Sequence, residues 1–112
     1  MSTIKNSVQL IGNVGQAPTI TNLESGKKVA RLSIATNENY KDSQGEKQTD
    51  TNWHTLVAWG KTADIIEKYV TKGKEIAVSG KLTSRSYETS EGEKRTVTEV
   101  VVRELLLLGA NA

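Results

Sequence analysis

The chain has 112 residues, 36% of them apolar, and no cysteine. This length and apolar content predict one compact domain over residues 1–112. The lack of cysteine excludes a disulfide framework and a thiolate metal site, and no secretory signal or membrane-spanning run is evident, so we expect a cytoplasmic protein with no membrane contact. A formal net charge of +2 does not by itself indicate a nucleic-acid binder.

Alternating apolar residues predict two strands in the first third of the chain. One runs from Ile4 to Val14, with glycines at its bend and exit. The second covers Val29 to Thr36, where Ala30, Leu32 and Ile34 share one face and Arg31 and Ser33 point away. Turn residues at 24–27, after the apolar Ile20 and Leu23, predict a hairpin that leads into the second strand.

A polar stretch and a third strand follow. Residues 37–51 predict a long loop or the tip of a ribbon, with Tyr40 as the only bulky side chain. The third strand, residues 51–60, places Trp53 and Trp59 on one face and Leu56 and Ala58 on the other. Only one of these faces can belong to the core.

The remaining chain predicts one short helix and two strands. Helical spacing over residues 61–70 predicts a helix that buries a set of apolar residues: Ala63, Ile66, Tyr69 and Val70. Strand alternation then puts Ile76, Val78, Gly80 and Leu82 on the inner side, and Lys81, Thr83, Arg85 and Tyr87 on the outer side. A turn at residues 88–93 leads to a last strand over residues 96–108.

The order strand, strand, strand, helix, strand, strand indicates an all-β fold. It is the order of an OB-fold, a five-stranded Greek-key barrel with one short helix between strands 3 and 4. Other small barrels with an inserted helix would give a similar order.

The aromatic residues are the main functional signal. Trp53 and Trp59 lie six residues apart on one strand, which places them about 20 Å apart on the same side. Bases of any sequence stack on such rings, so we predict a stacking set of four residues: Tyr40, Trp53, Trp59 and Tyr87. In the alternative interpretation both tryptophans are core residues, but Thr55 between them favours the outward placement.

Basic residues near these rings are candidates for phosphate contacts. They are Lys61, Lys72, Lys74, Lys81, Arg85, Lys94 and Arg95. Acidic residues are mixed among them, so an ordinary solvated surface is the alternative. His54 is the only histidine, and we interpret it as a hydrogen-bonding residue within the fold or at a subunit interface. No catalytic motif, metal site or cofactor site is predicted.

Five stretches of the chain closely resemble the bacterial single-stranded DNA-binding proteins. They are NSVQLIGNVG (residues 6–15), VARLSIAT (29–36), NWHTLVAWGK (52–61), YVTKG (69–73), and GKL with RSY (80–87). The resemblance implies an OB-fold homotetramer that coats single-stranded DNA without sequence preference in replication, recombination and repair. It places the stacking residues at the four predicted rings, although two of these positions are more often tryptophan in the family and Trp59 is more often phenylalanine.

The resemblance also implies roles for other residues. Lys61, Lys72 and Arg85 match basic positions along the DNA path, and His54 matches a subunit contact. Family members typically continue into a glycine- and proline-rich linker with an acidic tip. The sequence ends at Ala112 without one, so tail-mediated recruitment of replication proteins is not predicted.

Two alternatives keep the barrel but change its partner. One is a primosome-type accessory protein that acts mainly through protein partners, and it usually lacks the Trp53 and Trp59 pair. The other is an RNA-binding OB domain, because nothing in the sequence selects for or against a 2′-hydroxyl. Whichever partner the barrel binds, strand pattern does not give the oligomeric state, but the apolar run Leu105–Leu108 indicates a buried subunit contact.

Overall fold

A computed structural model describes residues 4–108 as one barrel with a single α-helix. After a 3-10 turn at Ile4–Asn6, the elements are β1 (Val8–Val14), β2 (Thr19–Asn22), β3 (Lys28–Lys41), β4 (Lys47–Trp59), α1 (Gly60–Tyr69), β5 (Glu75–Glu88) and β6 (Lys94–Leu107). Residues 109–112, on which the expectation about a tail depends, lie outside the described residues. No helix within residues 4–108 has the length and hydropathy needed to cross a bilayer.

The strands close into a barrel because β1 pairs with two neighbours. The sheet order is β1-β5-β6-β4-β3-β2, and β1 also pairs with β3 through Asn13↔Ala35 and Val14↔Ile34. The four-residue β2 only flanks β3, so five strands form the barrel and α1 lies between the third and fourth of them. The predicted OB-fold is therefore confirmed.

Two glycines allow the close strand contacts that closure requires. A Cβ atom on Gly12 would lie 2.4 Å from the carbonyl oxygen of Ala35, and one on Gly80 would lie 2.0 Å from that of Val101. Gly80 also borders the bulge between β5 and β6. A side chain at either position would force the backbones apart, so glycine is required at both.

The core lies inside the barrel and is closed at one end by α1. Its largest fully buried side chains are Ile34, Leu56, Ile66 and Ile76. The prediction that Tyr69 belongs to the core is wrong, because this residue is 58% exposed. At 3.6 residues per turn, Tyr69 lies about 90° from the centre of the stripe formed by its buried neighbours on the helix.

The inward prediction for Leu82 is also wrong, since this residue is 46% exposed. The pairing of β1 with β5 ends at Val8↔Gly80, so no strand covers Leu82 on that side. The Asn6 side chain pairs there with the Leu82 backbone instead, donating to its carbonyl and accepting from its N–H. Leu82 therefore keeps the inward orientation of β5, but it lies beyond the end of the core and stays exposed.

The polar stretch at residues 37–51 is a ribbon rather than a loop. Strands β3 and β4 stay paired as far as Lys41↔Lys47. The Thr49 hydroxyl donates to the Asn39 side chain at 2.9 Å, and the Thr51 hydroxyl donates to Asn37 at 2.7 Å. The second predicted alternative, a ribbon tip, is thus the one that the structure contains.

Candidate nucleic-acid interface

Both tryptophans lie on the outer face of β4 with their side chains in contact with solvent. Trp53 is 61% exposed and Trp59 is 45% exposed, so the alternative that they are core residues is wrong. They stand opposite Ala35 and Val29 of β3, and directly paired residues share a face of the sheet. The strand alternation read from the sequence therefore gave the correct orientation for both rings.

Trp53 is seated on a glycine. A Cβ atom on Gly15 would lie 2.5 Å from Cζ3 of the Trp53 ring, closer than any real contact allows. Gly15 follows the end of β1 and donates its N–H to the Ser33 carbonyl at 3.0 Å, which fixes this backbone against β3. The ring therefore lies directly against a fixed stretch of main chain.

The ribbon of β5 and β6 continues the same outer face. Strands β4 and β6 are parallel neighbours with Val57 beside Val101, and Val101 is paired with Lys81 of β5. Along β5, the outward phase then carries Arg85 and Tyr87, both exposed. We call the outer surface of β3 and β4, together with residues 81–87 of β5 and residues 95–101 of β6, the stacking face.

Tyr40 lies on the other side of its ribbon. It is paired with Gln48. The pairing of β3 with β4 has no irregularity, and Tyr40 and Gln48 have even numbers whereas Trp53 and Trp59 have odd ones. Because successive residues of a strand point to opposite faces, Tyr40 does not extend the row of the tryptophans. It is 47% exposed and lines a shallow depression at the ribbon tip together with Lys41 and Lys47.

Three of the predicted cations lie at the ends of the stacking face rather than on it. Lys61 lies in the first turn of α1, two residues after Trp59. Lys72 and Lys74 flank the Gly73 turn, whose N–H donates to the Val14 carbonyl at 2.8 Å. Since Trp53 rests on the next residue of the chain, Gly15, this turn lies at the Trp53 end of the face.

The two cations of the last hairpin point in opposite directions. Arg95 is paired with Tyr87 and shares its face, and its Nη2 lies 3.2 Å from a Glu93 carboxylate oxygen. Lys94 is paired with Glu88 and lies on the reverse side. The structure therefore brings Arg95, but not Lys94, together with the predicted rings.

A charged cluster lies at the centre of the stacking face. Glu99 of β6 is 6% exposed, and its two carboxylate oxygens accept hydrogen bonds from Arg31 of β3 and Arg85 of β5. Burial alone would raise the pKa of the Glu99 carboxyl, but the two arginines outweigh it and hold the pKa below its ordinary value. The carboxylate therefore stays ionised while it lies almost out of contact with water.

Sequence reasoning missed Arg31 and Glu99 as functional candidates. The strand pattern puts Arg31 on the outward phase without indicating a role for it, and it gives no role to Glu99. A signal was present, since Glu99 is the one acidic residue within the run Thr96–Val102, which is otherwise threonine and valine. Acidic residues are almost never fully buried unless they are paired, so a single glutamate among β-branched residues is a candidate for an ion pair.

His54 forms a hydrogen bond within the fold. Its Nε2 lies 3.0 Å from the Thr36 hydroxyl of the neighbouring strand, and the side chain is half-buried. This agrees with the first of the two roles predicted for it. Within the described part of the chain, no group of three His, Asp or Glu side chains is placed to hold a metal ion.

Comparisons with known proteins point to one family. The model of the single-strand binding protein family matches residues 5–108. Single-stranded DNA-binding protein 1 of Chlorobaculum tepidum is 47% identical over 68 residues, which span 61% of this chain and 42% of that protein. The match thus covers less than half the length of that relative.

Solved structures agree with the family match. The Plasmodium falciparum SSB, in complex with ssDNA, superposes with a TM-score of 0.87 and 34% identity, and the match covers 97% of this chain and 99% of that one. A deletion mutant of the Thermus aquaticus single-stranded DNA binding protein gives a TM-score of 0.80 at 24% identity, over 93% of this chain and 50% of that one, and so supports the fold. With the family model covering nearly the whole chain, this protein belongs to the single-strand binding protein family.

Proposed function

We propose that this protein binds single-stranded DNA without sequence preference and protects it during replication, recombination and repair. The observation that carries the proposal is the pair of exposed tryptophans on β4, Trp53 and Trp59, on either side of a cluster that contains two arginines. The complex of the P. falciparum relative with ssDNA supports the same partner.

Base stacking explains how the protein can bind single-stranded DNA of any sequence. Every base offers a π-face, and each stacked base contributes about 1–3 kcal/mol. Two tryptophans about 20 Å apart on one strand can hold bases several nucleotides apart on the same DNA strand. Tyr87 extends this surface along the β5–β6 ribbon, whereas Tyr40 would meet DNA only where the strand wraps around the ribbon of β3 and β4.

Phosphate contacts supply the remaining affinity. Arg85, Lys81 and Arg95 lie on the stacking face, Lys61 lies at its Trp59 end, and Lys72 and Lys74 lie at its Trp53 end. Each phosphate contact releases counterions, so the affinity should fall as salt rises, with a slope of about −0.7 per contact for single strands. In this proposal Lys94 contributes least, because it lies on the reverse side of its hairpin.

The proposed role is binding rather than catalysis, in the cytoplasm and at the nucleoid. We further propose a homotetramer, as the family resemblance implies. A row of aliphatic side chains outside the stacking face, which includes Ile11 and Leu106, offers a surface for another copy. The primosome-type alternative is not favoured, because it does not account for the two exposed tryptophans.

Fluorescence titration tests the proposal. Adding poly(dT) at low salt should quench the emission of Trp53 and Trp59, and raising the salt should reverse the quenching. Poly(U) as a competitor measures the preference for DNA over RNA. If poly(dT) causes no quenching at low salt, the proposal is wrong; if poly(U) competes as well as poly(dT), the protein is a general single-strand binder.

A further inference from the structure

Glu99 has an unusual position for an acidic residue. Its side chain is 7% exposed, yet it belongs to the outward phase of β6, in the middle of a surface that we propose to bind a polyanion. Burying a carboxylate is costly unless it is paired and hydrogen-bonded. A negative charge would also repel DNA, so simple electrostatics gives no reason for it to be there.

The geometry of its partners supplies a reason. Oε2 of Glu99 accepts from Nη1 of Arg31, and Oε1 accepts from Nε of Arg85 at 3.1 Å. The two arginines come from β3 and β5, which flank β4 and β6, so one carboxylate holds cations from opposite sides of the stacking face. It fixes the separation between the two guanidinium groups.

Both arginines keep donors for a ligand. A guanidinium has five N–H donors, and Glu99 occupies only Nη1 of Arg31 and Nε of Arg85. Within residues 4–108, the remaining nitrogens have no other hydrogen-bond acceptor from the protein. The side chains are 43% and 52% exposed, respectively, so these donors reach solvent. One nitrogen of each arginine therefore donates to Glu99, and the other nitrogens can donate to a ligand.

Arg31 also lies between the two tryptophans. It is paired with Val57 of β4. Among the outward-pointing residues of β4, Val57 is next to Trp59 and two positions away from Trp53. To reach Glu99 on β6 its side chain must cross the outer face of β4, which explains why Val57 is only 4% exposed although it points outward. A shallow polar depression lined by Arg31, Ser33 and Thr55 opens beside it.

We infer that Arg31 binds a backbone phosphate of the DNA segment that passes between Trp59 and Trp53, and that Glu99 is a positioning residue for Arg31 and Arg85. The inference rests on the proposed function. The cluster carries a net charge of +1, so it still attracts the strand. Held guanidiniums lose less side-chain entropy on binding than free ones, so Glu99 strengthens binding despite its charge.

The first test removes the phosphate contact. Arg31→Gln should weaken binding of oligo(dT) at low salt about tenfold, as expected for a hydrogen bond to a charged group, and should reduce the salt slope by about 0.7. Lys68→Gln on α1 is the matched control, since it removes the same charge outside the stacking face. Equal affinities and equal slopes for the two variants would overturn the role of Arg31.

The second test separates positioning from charge. Glu99→Gln should weaken binding several-fold, whereas loss of a repelling charge alone would tighten it. In the Arg31→Gln background the same change should have a smaller effect, because residues that act together are not additive. Tighter binding by Glu99→Gln, or full additivity, would overturn the positioning role. Melting temperatures confirm that each variant is folded, and the Arg31→Gln result stands independently of Glu99.

These outcomes are distinct from failure of the proposed function. If the unsubstituted protein does not bind oligo(dT), both proposals are wrong. If it binds, and Arg31→Gln and Lys68→Gln behave alike, only the present inference is wrong.

Discussion

Two surfaces of the barrel leave large apolar side chains in contact with solvent, and they differ in chemistry. The stacking face exposes the rings of Trp53 and Trp59 together with arginines. A second surface, which we call the aliphatic face, has Ile11, Ala77 and Leu106 in one row across β1, β5 and β6. Ile11 is 60% exposed and Leu106 is 65% exposed, values close to that of Trp53.

The degree of exposure therefore does not identify the partner of either surface. Aromatic rings flanked by cations match the bases and phosphates of a nucleic acid, whereas aliphatic side chains offer no π-face to a base. Exposed aliphatic patches typically mark protein contacts. We accordingly assign DNA to the stacking face and another copy of the chain to the aliphatic face, and the following variants test this division.

The largest effect on DNA binding is expected from Trp53→Ala. Loss of one stacked base should weaken the affinity for oligo(dT) about 5- to 150-fold, which corresponds to about 1–3 kcal/mol. Tyr69→Ala is the matched control, since Tyr69 is an equally exposed ring on α1, outside the stacking face. Isothermal titration calorimetry measures both, and similar losses for the two variants would contradict the assignment.

A smaller loss is expected from Gly15→Ala. The added methyl group would overlap the Trp53 ring and displace it. Part of one stacking interaction would be lost, so the affinity for oligo(dT) should fall about two- to fivefold. Gly15 does not have a positive φ, so the substitution introduces no backbone strain. In the Trp53→Ala background it should have no further effect on binding, and a full additional loss there would show that the ring is not what the methyl group displaces.

The pH dependence of stability tests the charged cluster of the stacking face. The pKa of Glu99 lies below its ordinary value of 4.5, so its contribution to stability is present at neutral pH and is lost as the pH falls through the lower, folded-state pKa. The melting temperature of the unsubstituted protein should therefore fall on acidification by more than that of Glu99→Gln. The carboxyls of Asp42 and Asp64, whose pKa values are also lowered, remain in both proteins. Parallel curves between about pH 7 and about pH 3 would contradict the pairing.

The smallest effect on DNA binding is expected from Leu106→Lys on the aliphatic face. A charge there should disrupt assembly and lower the mass measured by light scattering. The affinity of each protomer for an oligo(dT) short enough to fit one barrel should stay within about twofold, because Leu106 does not belong to the stacking face. An unchanged mass would contradict the assignment of this face to subunit contact.

The alternation of apolar and polar residues predicted which side chains of a strand point into the barrel and which point out. The alternation along residues 51–60 was sufficient to orient both tryptophans, because one face had to supply the core. The same rule failed for Leu82, which keeps the inward phase beyond the point where β1 stops covering β5. The extent of each neighbouring strand is a property of the whole barrel, so no local pattern contains it.

The polar ribbon and the central cluster were harder to predict for different reasons. Residues 37–51 lack apolar alternation, and their pairing is stabilised by side-chain hydrogen bonds between strands and by the Asp42 carboxylate, which accepts from the N–H groups of Gln44 and Glu46. The cluster of Arg31, Glu99 and Arg85 joins three strands, and Arg31 lies 68 residues before Glu99 in the sequence. Its existence depends on the parallel pairing of β4 and β6, which sequence alone did not specify.

Photo-crosslinking shows directly whether the tryptophans of β4 contact the bases of single-stranded DNA. An oligo(dT) carrying bromodeoxyuridine, irradiated in complex with the protein and analysed by mass spectrometry of peptides, identifies the residues that contact bases. We expect crosslinks at Trp53, Trp59 and Tyr87, and none at Tyr69, which is as exposed but lies on α1. Crosslinks concentrated on α1 or on the aliphatic face, with none on β4, would contradict this expectation.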